Sequence, residues 1–150
     1  MKSFVMTLPI SKKDYVNHLY FIMVVPVVLY TLLSLLLQDN LLDIAIIIKS
    51  LAILLILIAF YNVTTLFIQN KSTNNIIQVS IIILFGTTII FSNNKVSHNF
   101  ASLYYDNKLE LANELASSHF HLAIILFIIS LVIILGSYLF SIYKAKNQEF

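Results

Sequence analysis

The chain has 150 residues, of which 59% are hydrophobic and 11% charged, a far more apolar balance than that of a soluble domain. Its formal net charge is only +2 and its nine basic residues are all lysine, which excludes the strong positive field and the arginine contacts of a nucleic-acid-binding protein. It has no cysteine, so disulfides, thiol nucleophiles and cysteine-ligated clusters are excluded as well.

Four long apolar segments predict four transmembrane helices, at about residues 19–37, 44–68, 76–92 and 120–143. Roughly 20 apolar residues cross a hydrocarbon layer of ~30 Å as a helix. The predicted fold is therefore all-α and polytopic. Residues 1–150 form a single four-helix transmembrane domain, an antiparallel bundle in the lipid bilayer with a helical outer extension before the fourth helix.

The distribution of lysine predicts the orientation of this bundle. One set of connections carries six lysines, whereas the other carries only Lys95 and Lys108, with Lys49 near its edge. The six are Lys2, Lys12, Lys13, Lys71, Lys144 and Lys146. By the positive-inside rule, we expect a multi-pass protein of a bacterial inner membrane with both termini and the 69–75 turn in the cytoplasm. The first span is long and no small-residue cleavage site follows it, so we expect it to be retained.

The second and third spans contain several polar residues. Lys49 lies six residues into the second apolar segment, and an ionisable residue inside a span is a functional candidate. Residues 49–68 alone are long enough to cross, so the Lys49 ammonium can instead extend to the outer interface. Asn62 and Gln78 are polar groups that can either hydrogen-bond between helices or line a substrate groove.

The fourth helix is predicted to run without a break from Asn107 to Tyr143. At about 100° per residue, one arc of roughly 60° collects small residues, which let membrane helices approach closely. This predicted packing face consists of Ala112, Ala116, Ala123, Ser130, Ser137 and Ser141. Glu110, Glu114 and His121 share the opposite face and are expected to form a solvated strip.

His98 and His119 are the candidate metal ligands. His119 lies on the arc of the packing face and should point inward at the outer boundary, and His98 follows the third span at a similar expected depth. Two imidazoles meeting there could ligate a metal ion or a superficial haem. Alternatively, His119 hydrogen-bonds a neighbouring group. Because the two histidines have no diagnostic spacing, no cofactor is expected.

No catalytic motif is present: the sequence has no phosphate-binding glycine loop, no G-x-S-x-G elbow and no H-E-x-x-H. We therefore expect a protein that is not an enzyme. The leading hypothesis is a protein that acts through protein–protein contacts, as an accessory subunit, an assembly factor, a membrane partner or a homo-oligomer. The alternatives are an outer-face metal- or haem-binding protein and a small transporter or channel. The lack of Asp or Glu deep in the spans argues against proton coupling.

Overall fold

A computed structural model describes residues 11–68 and 70–147, and it confirms the predicted all-helical architecture. The four helices are α1 (Lys12–Leu36), α2 (Leu41–Phe67), α3 (Lys71–Tyr105) and α4 (Leu109–Asn147). Each is long and apolar enough to cross a membrane. Lys2, which contributed to the predicted orientation, lies outside the described residues.

Polar side chains cap three of the helices at their first turn. The Ser11 hydroxyl accepts a hydrogen bond from the Asp14 backbone N–H at 3.1 Å. The side-chain oxygens of Asn40 and Asn70 each accept one at 3.0 Å, from the backbone N–H groups of Leu42 and Ser72. Serine and asparagine favour this position because they satisfy N–H groups that have no partner within the helix. They allow α2 and α3 to begin after very short connections.

The bundle is built around α2 and α4, which form by far the most extensive helix pair. Helices α1 and α3 each pack against both members of this pair, and within the described residues they do not contact each other. Lys49 and His119 share a crevice near the beginning of α2 and α4, and the rings of Phe67 and Phe140 lie 5.6 Å apart near their ends. Consecutive helices are therefore antiparallel, as predicted, whereas the dominant interface joins two helices that run in the same direction.

Small residues from both helices line this central interface. The predicted packing face of α4 is confirmed, because its members are buried apart from Ser137, which is half-buried. Helix α2 contributes a matching row at seven-residue spacing, formed by Ala45, Ala52 and Ala59, with 0–2% of each residue exposed. A seven-residue repeat keeps one helix face against its neighbour, and small side chains bring the backbones close together.

The predicted helical extension before the fourth span is present, because α4 already begins at Leu109, but α3 is extended as well. Helix α3 does not end with the third apolar segment but continues to Tyr105, so its 35 residues are about 52 Å long. The connection to α4 is a tight turn in which Asn107 has a φ of 56°, a left-handed conformation that asparagine tolerates. The backbone N–H of Lys108 donates to the Leu103 carbonyl and that of Asn107 to the Tyr104 carbonyl, the pattern of a Schellman motif. The extension is therefore a helical hairpin made by both α3 and α4.

We call the end of the bundle with residues 37–40 and 106–108 the hairpin end. The opposite end, with Ile68, Asn70, the beginning of α1 and the end of α4, is the terminal end.

Candidate functional site

Two tyrosines join α1 to α4 near the terminal end. The Tyr20 hydroxyl donates to the Ser137 hydroxyl at 3.1 Å and lies 3.2 Å from that of Ser141. The Tyr138 hydroxyl donates to the side-chain oxygen of Asn17 at 2.7 Å. The two tyrosine rings meet edge to face with their centroids 5.4 Å apart. This network fixes α1 against α4, because a buried tyrosine hydroxyl requires a partner in an apolar environment.

On the other side of the bundle, Gln78 of α3 binds the end of α2. Its amide nitrogen donates to the hydroxyls of Thr65 at 2.9 Å and Thr64 at 3.4 Å. Gln78 therefore makes the predicted interhelical hydrogen bond.

Asn62 is the most unusual polar group in the core. It is completely buried, and neither its amide nitrogen nor its amide oxygen has a hydrogen-bond partner. Ala59 and Leu66, its neighbours on the same face of α2, belong to the hydrophobic core. Counting back five residues from the Phe67–Phe140 contact puts Asn62 at the level of the α4 segment between Ser130 and Ser137. A buried amide without partners costs free energy in this arrangement of the helices.

The Ser130 and Ser137 hydroxyls already have partners. Each donates to a backbone carbonyl three residues earlier, Phe127 at 2.7 Å and Ile134 at 2.8 Å. Serine hydroxyls bonded in this way can exchange that partner for another one at little cost, because the carbonyl also belongs to the helix ladder. The α4 face opposite Asn62 is thus rich in groups that can accept or donate a hydrogen bond.

A small crevice closer to the hairpin end contains Lys49 and His119. Both side chains are half-buried, which confirms that His119 points into the bundle. Helix α3 contributes Asn93 and Val96 to this crevice. The site therefore combines a cation, an imidazole and an amide at the junction of three helices.

The remaining predicted site residues lie on the surface. His98 is exposed on α3, and the described residues contain no group of three or more histidine, aspartate or glutamate side chains arranged to hold a metal ion. The two-histidine metal site stays a prediction. Glu110, Glu114 and His121 are exposed, as expected of a solvated strip, and His121 Nδ1 lies 2.7 Å from the Ser117 carbonyl oxygen.

The fold and its polar groups define an integral, multi-pass membrane protein in which hydrogen bonds between side chains connect long apolar helices. Residues 1–146 match the family model described as ABC-2 family transporter protein. The chain belongs to this family and is therefore a membrane transport-related protein. Neither curated proteins nor solved structures give a match.

Proposed function

We propose that the chain is the membrane-spanning part of a transporter that is driven by a partner ATPase. Membership of the ABC-2 transporter family over residues 1–146 is the observation that carries this proposal. It favours the transporter among the functions considered from the sequence. The 150 residues contain only two glycines and no phosphate-binding loop, so nucleotide would bind outside them.

A transporter must adopt at least two arrangements of its helices, and the α2–α4 interface is suited to this. Because the side chains in these facing rows are small, few of them interdigitate, and one helix can shift along the other. Asn62 carries an unfavourable free energy in the arrangement described here. A shift of α2 that brings its amide to the Ser130 or Ser137 hydroxyl would remove this cost. Asn62 would then bias the equilibrium between the two arrangements.

The lysine distribution suggests where the ATPase binds. If the positive-inside rule holds, the terminal end faces the cytoplasm. The connection between α2 and α3 lies at this end, and it is followed by Lys71, which is exposed. Because α2 belongs to the central pair, a force applied at this connection would act directly on the α2–α4 interface.

A role as an accessory subunit is the second candidate, and the exposure of α3 favours it. None of the described side chains of α3 is buried. Its exposed surface includes Ser80 and Thr87 within the apolar segment. A helix with so little packing and with polar groups in the span is suited to contact another membrane protein or a second copy of the chain.

Site-specific crosslinking tests the ATPase proposal, since the natural chain has no cysteine. Lys71→Cys at the terminal end and Lys108→Cys at the hairpin end form a matched pair, because both lysines are exposed. In native membranes, we expect a short thiol crosslinker to join position 71, and not position 108, to an ATP-binding subunit. A crosslink to such a subunit only from position 108, or from neither position, would contradict the proposal.

A further inference from the structure

A cleft of about 790 Å³ opens at the hairpin end, where the loop between α1 and α2 meets the hairpin of α3 and α4. Its lining includes Asp39 from the loop, Phe100, Tyr104 and Tyr105 from α3, and Asn113 from α4. Sites for small molecules in proteins usually have volumes of about 300–1,000 Å³. The cleft therefore has the dimensions of a ligand site, and none of Asn62, Gln78, Lys49 and His119 lines it.

The walls of the cleft are rich in aromatic rings. Phe100 and Tyr104 are stacked, with their centroids 6.5 Å apart and their planes at 27°. Tyr104 is 60% exposed and Tyr105 86% exposed, so both rings have large free surfaces. The face of an aromatic ring carries partial negative charge and attracts cations.

The charged groups that line the cleft also favour a cation. Asp39 is exposed, and it is the only carboxylate among the described residues that line the cleft, which include no lysine. The free N–H groups at the N-terminus of a helix attract anions. At the N-terminus of α2, however, the Leu42 backbone N–H already donates a hydrogen bond to the side-chain oxygen of Asn40. A carboxylate beside several ring faces is an arrangement that selects a cation with apolar substituents.

We propose that this cleft binds an organic ammonium ion, with its methyl or methylene groups against the Tyr104 and Tyr105 rings and its charge near the Asp39 carboxylate. The ligand can be a free amine or the head group of a choline lipid, which share this chemistry. Binding is an equilibrium property of the chain alone. It can therefore be tested without the ATPase.

Choline and its neutral isostere 3,3-dimethyl-1-butanol are the probes, because they have nearly the same shape and differ in charge. Binding to the full chain in a maltoside detergent is measured by saturation-transfer NMR. We expect saturable binding of choline and at least about tenfold weaker binding of the alcohol, since only the cation is attracted by the rings and the carboxylate. Absence of saturable choline binding, or equal binding of both probes, would overturn the proposal.

Variants locate the site. Tyr104→Leu and Asp39→Asn should each weaken choline binding by about threefold or more, and Tyr104→Phe, which keeps the ring face, should retain it. The controls Tyr143→Leu and Glu114→Gln change an exposed tyrosine and an exposed acid that do not line the cleft, and they should leave binding unchanged. Equal losses in the controls and the cleft variants would refute the assignment.

The source of the ligand is distinguished in lipid nanodiscs. If the head group occupies the cleft, choline binding in phosphatidylglycerol discs should be displaced when phosphatidylcholine is added. If the ligand is a free amine, choline should bind equally in both discs. Both outcomes support the ammonium site, whereas loss of choline binding in both would contradict it.

Discussion

Replacing Asn62 by leucine should stabilise the bundle. Leucine has the same branching at Cγ but no polar atoms, so the change removes both amide groups that have no partner. Burying an unsatisfied polar group costs about 1–3 kcal/mol, and the lower part of this range applies in a membrane, where the unfolded reference state also lacks water. The methyl groups of leucine crowd the completely buried site, which offsets part of the gain. We expect a net stabilisation of about 1 kcal/mol.

The assay is equilibrium unfolding of the purified protein in detergent micelles, with Asn62→Ala as the matched variant. Alanine also removes the polar atoms but leaves a cavity, so its stability should fall below that of the leucine variant. If both variants lose more than about 1 kcal/mol, Asn62 forms hydrogen bonds in the native protein and the reasoning is refuted. The two-state proposal adds a second expectation: the leucine variant should lose transport while gaining stability.

Three further changes test the packing and the histidines. Ala123→Phe should destabilise the bundle by about 1–3 kcal/mol in the same unfolding assay, because Ala123 is completely buried. Ile128→Phe, at a site 56% exposed, should be tolerated. Equal effects of the two changes would mean that the packing face of α4 is wrongly assigned. Tyr20→Phe removes the hydroxyl that meets two serines and should cost about 0.6–1.7 kcal/mol, while an unchanged stability would mean that these hydrogen bonds contribute nothing. Metal analysis of the parent protein and of the His98→Gln/His119→Gln double variant should find no stoichiometric metal in either, and a metal held by the parent and lost from the variant would establish the two-histidine site.

Thiol labelling tests the orientation with the same cysteine pair. A membrane-impermeant reagent applied to intact cells should label Lys108→Cys, and it should label Lys71→Cys only after the membrane is permeabilised, because the positive-inside rule puts residue 71 in the cytoplasm. The reverse pattern would exchange the two sides of the bundle, and the ATPase would then have to bind at the hairpin end.

The spans and the packing face of α4 could be predicted because they depend on local periodicity. Apolar length identifies a span, and residues such as Ala123 and Ser130 fall on one face by helix geometry alone. The row of Ala45, Ala52 and Ala59 also has a regular seven-residue spacing, but the surrounding segment is apolar on every face, so the sequence pattern does not distinguish this face from the others. The helical continuation of α3 could not be predicted from local propensity either. Its residues 92–105 are rich in asparagine and serine, which are weak helix formers.

The candidate site could not be predicted from the sequence, because it is formed by contacts between distant parts of the chain. Tyr20 and Ser137 are 117 residues apart, and no local pattern connects them. Whether the Asn62 amide has hydrogen-bond partners likewise depends on how α2 is aligned along α4. His119 was correctly predicted to point inward, but its neighbours in the crevice, Lys49 and Asn93, come from two other helices. Sequence periodicity gives the direction of a side chain within its helix, whereas its partners depend on packing between helices.

We propose that the chain transmits the work of an ATPase to membrane transport. The most direct measurement is ATP hydrolysis by the ATP-binding subunit crosslinked at position 71, reconstituted in liposomes with and without the chain. We predict that hydrolysis rises when the parent chain is present and that Asn62→Leu, which keeps the bundle folded, reduces this stimulation. A rate of hydrolysis that is the same with and without the parent chain would contradict the account.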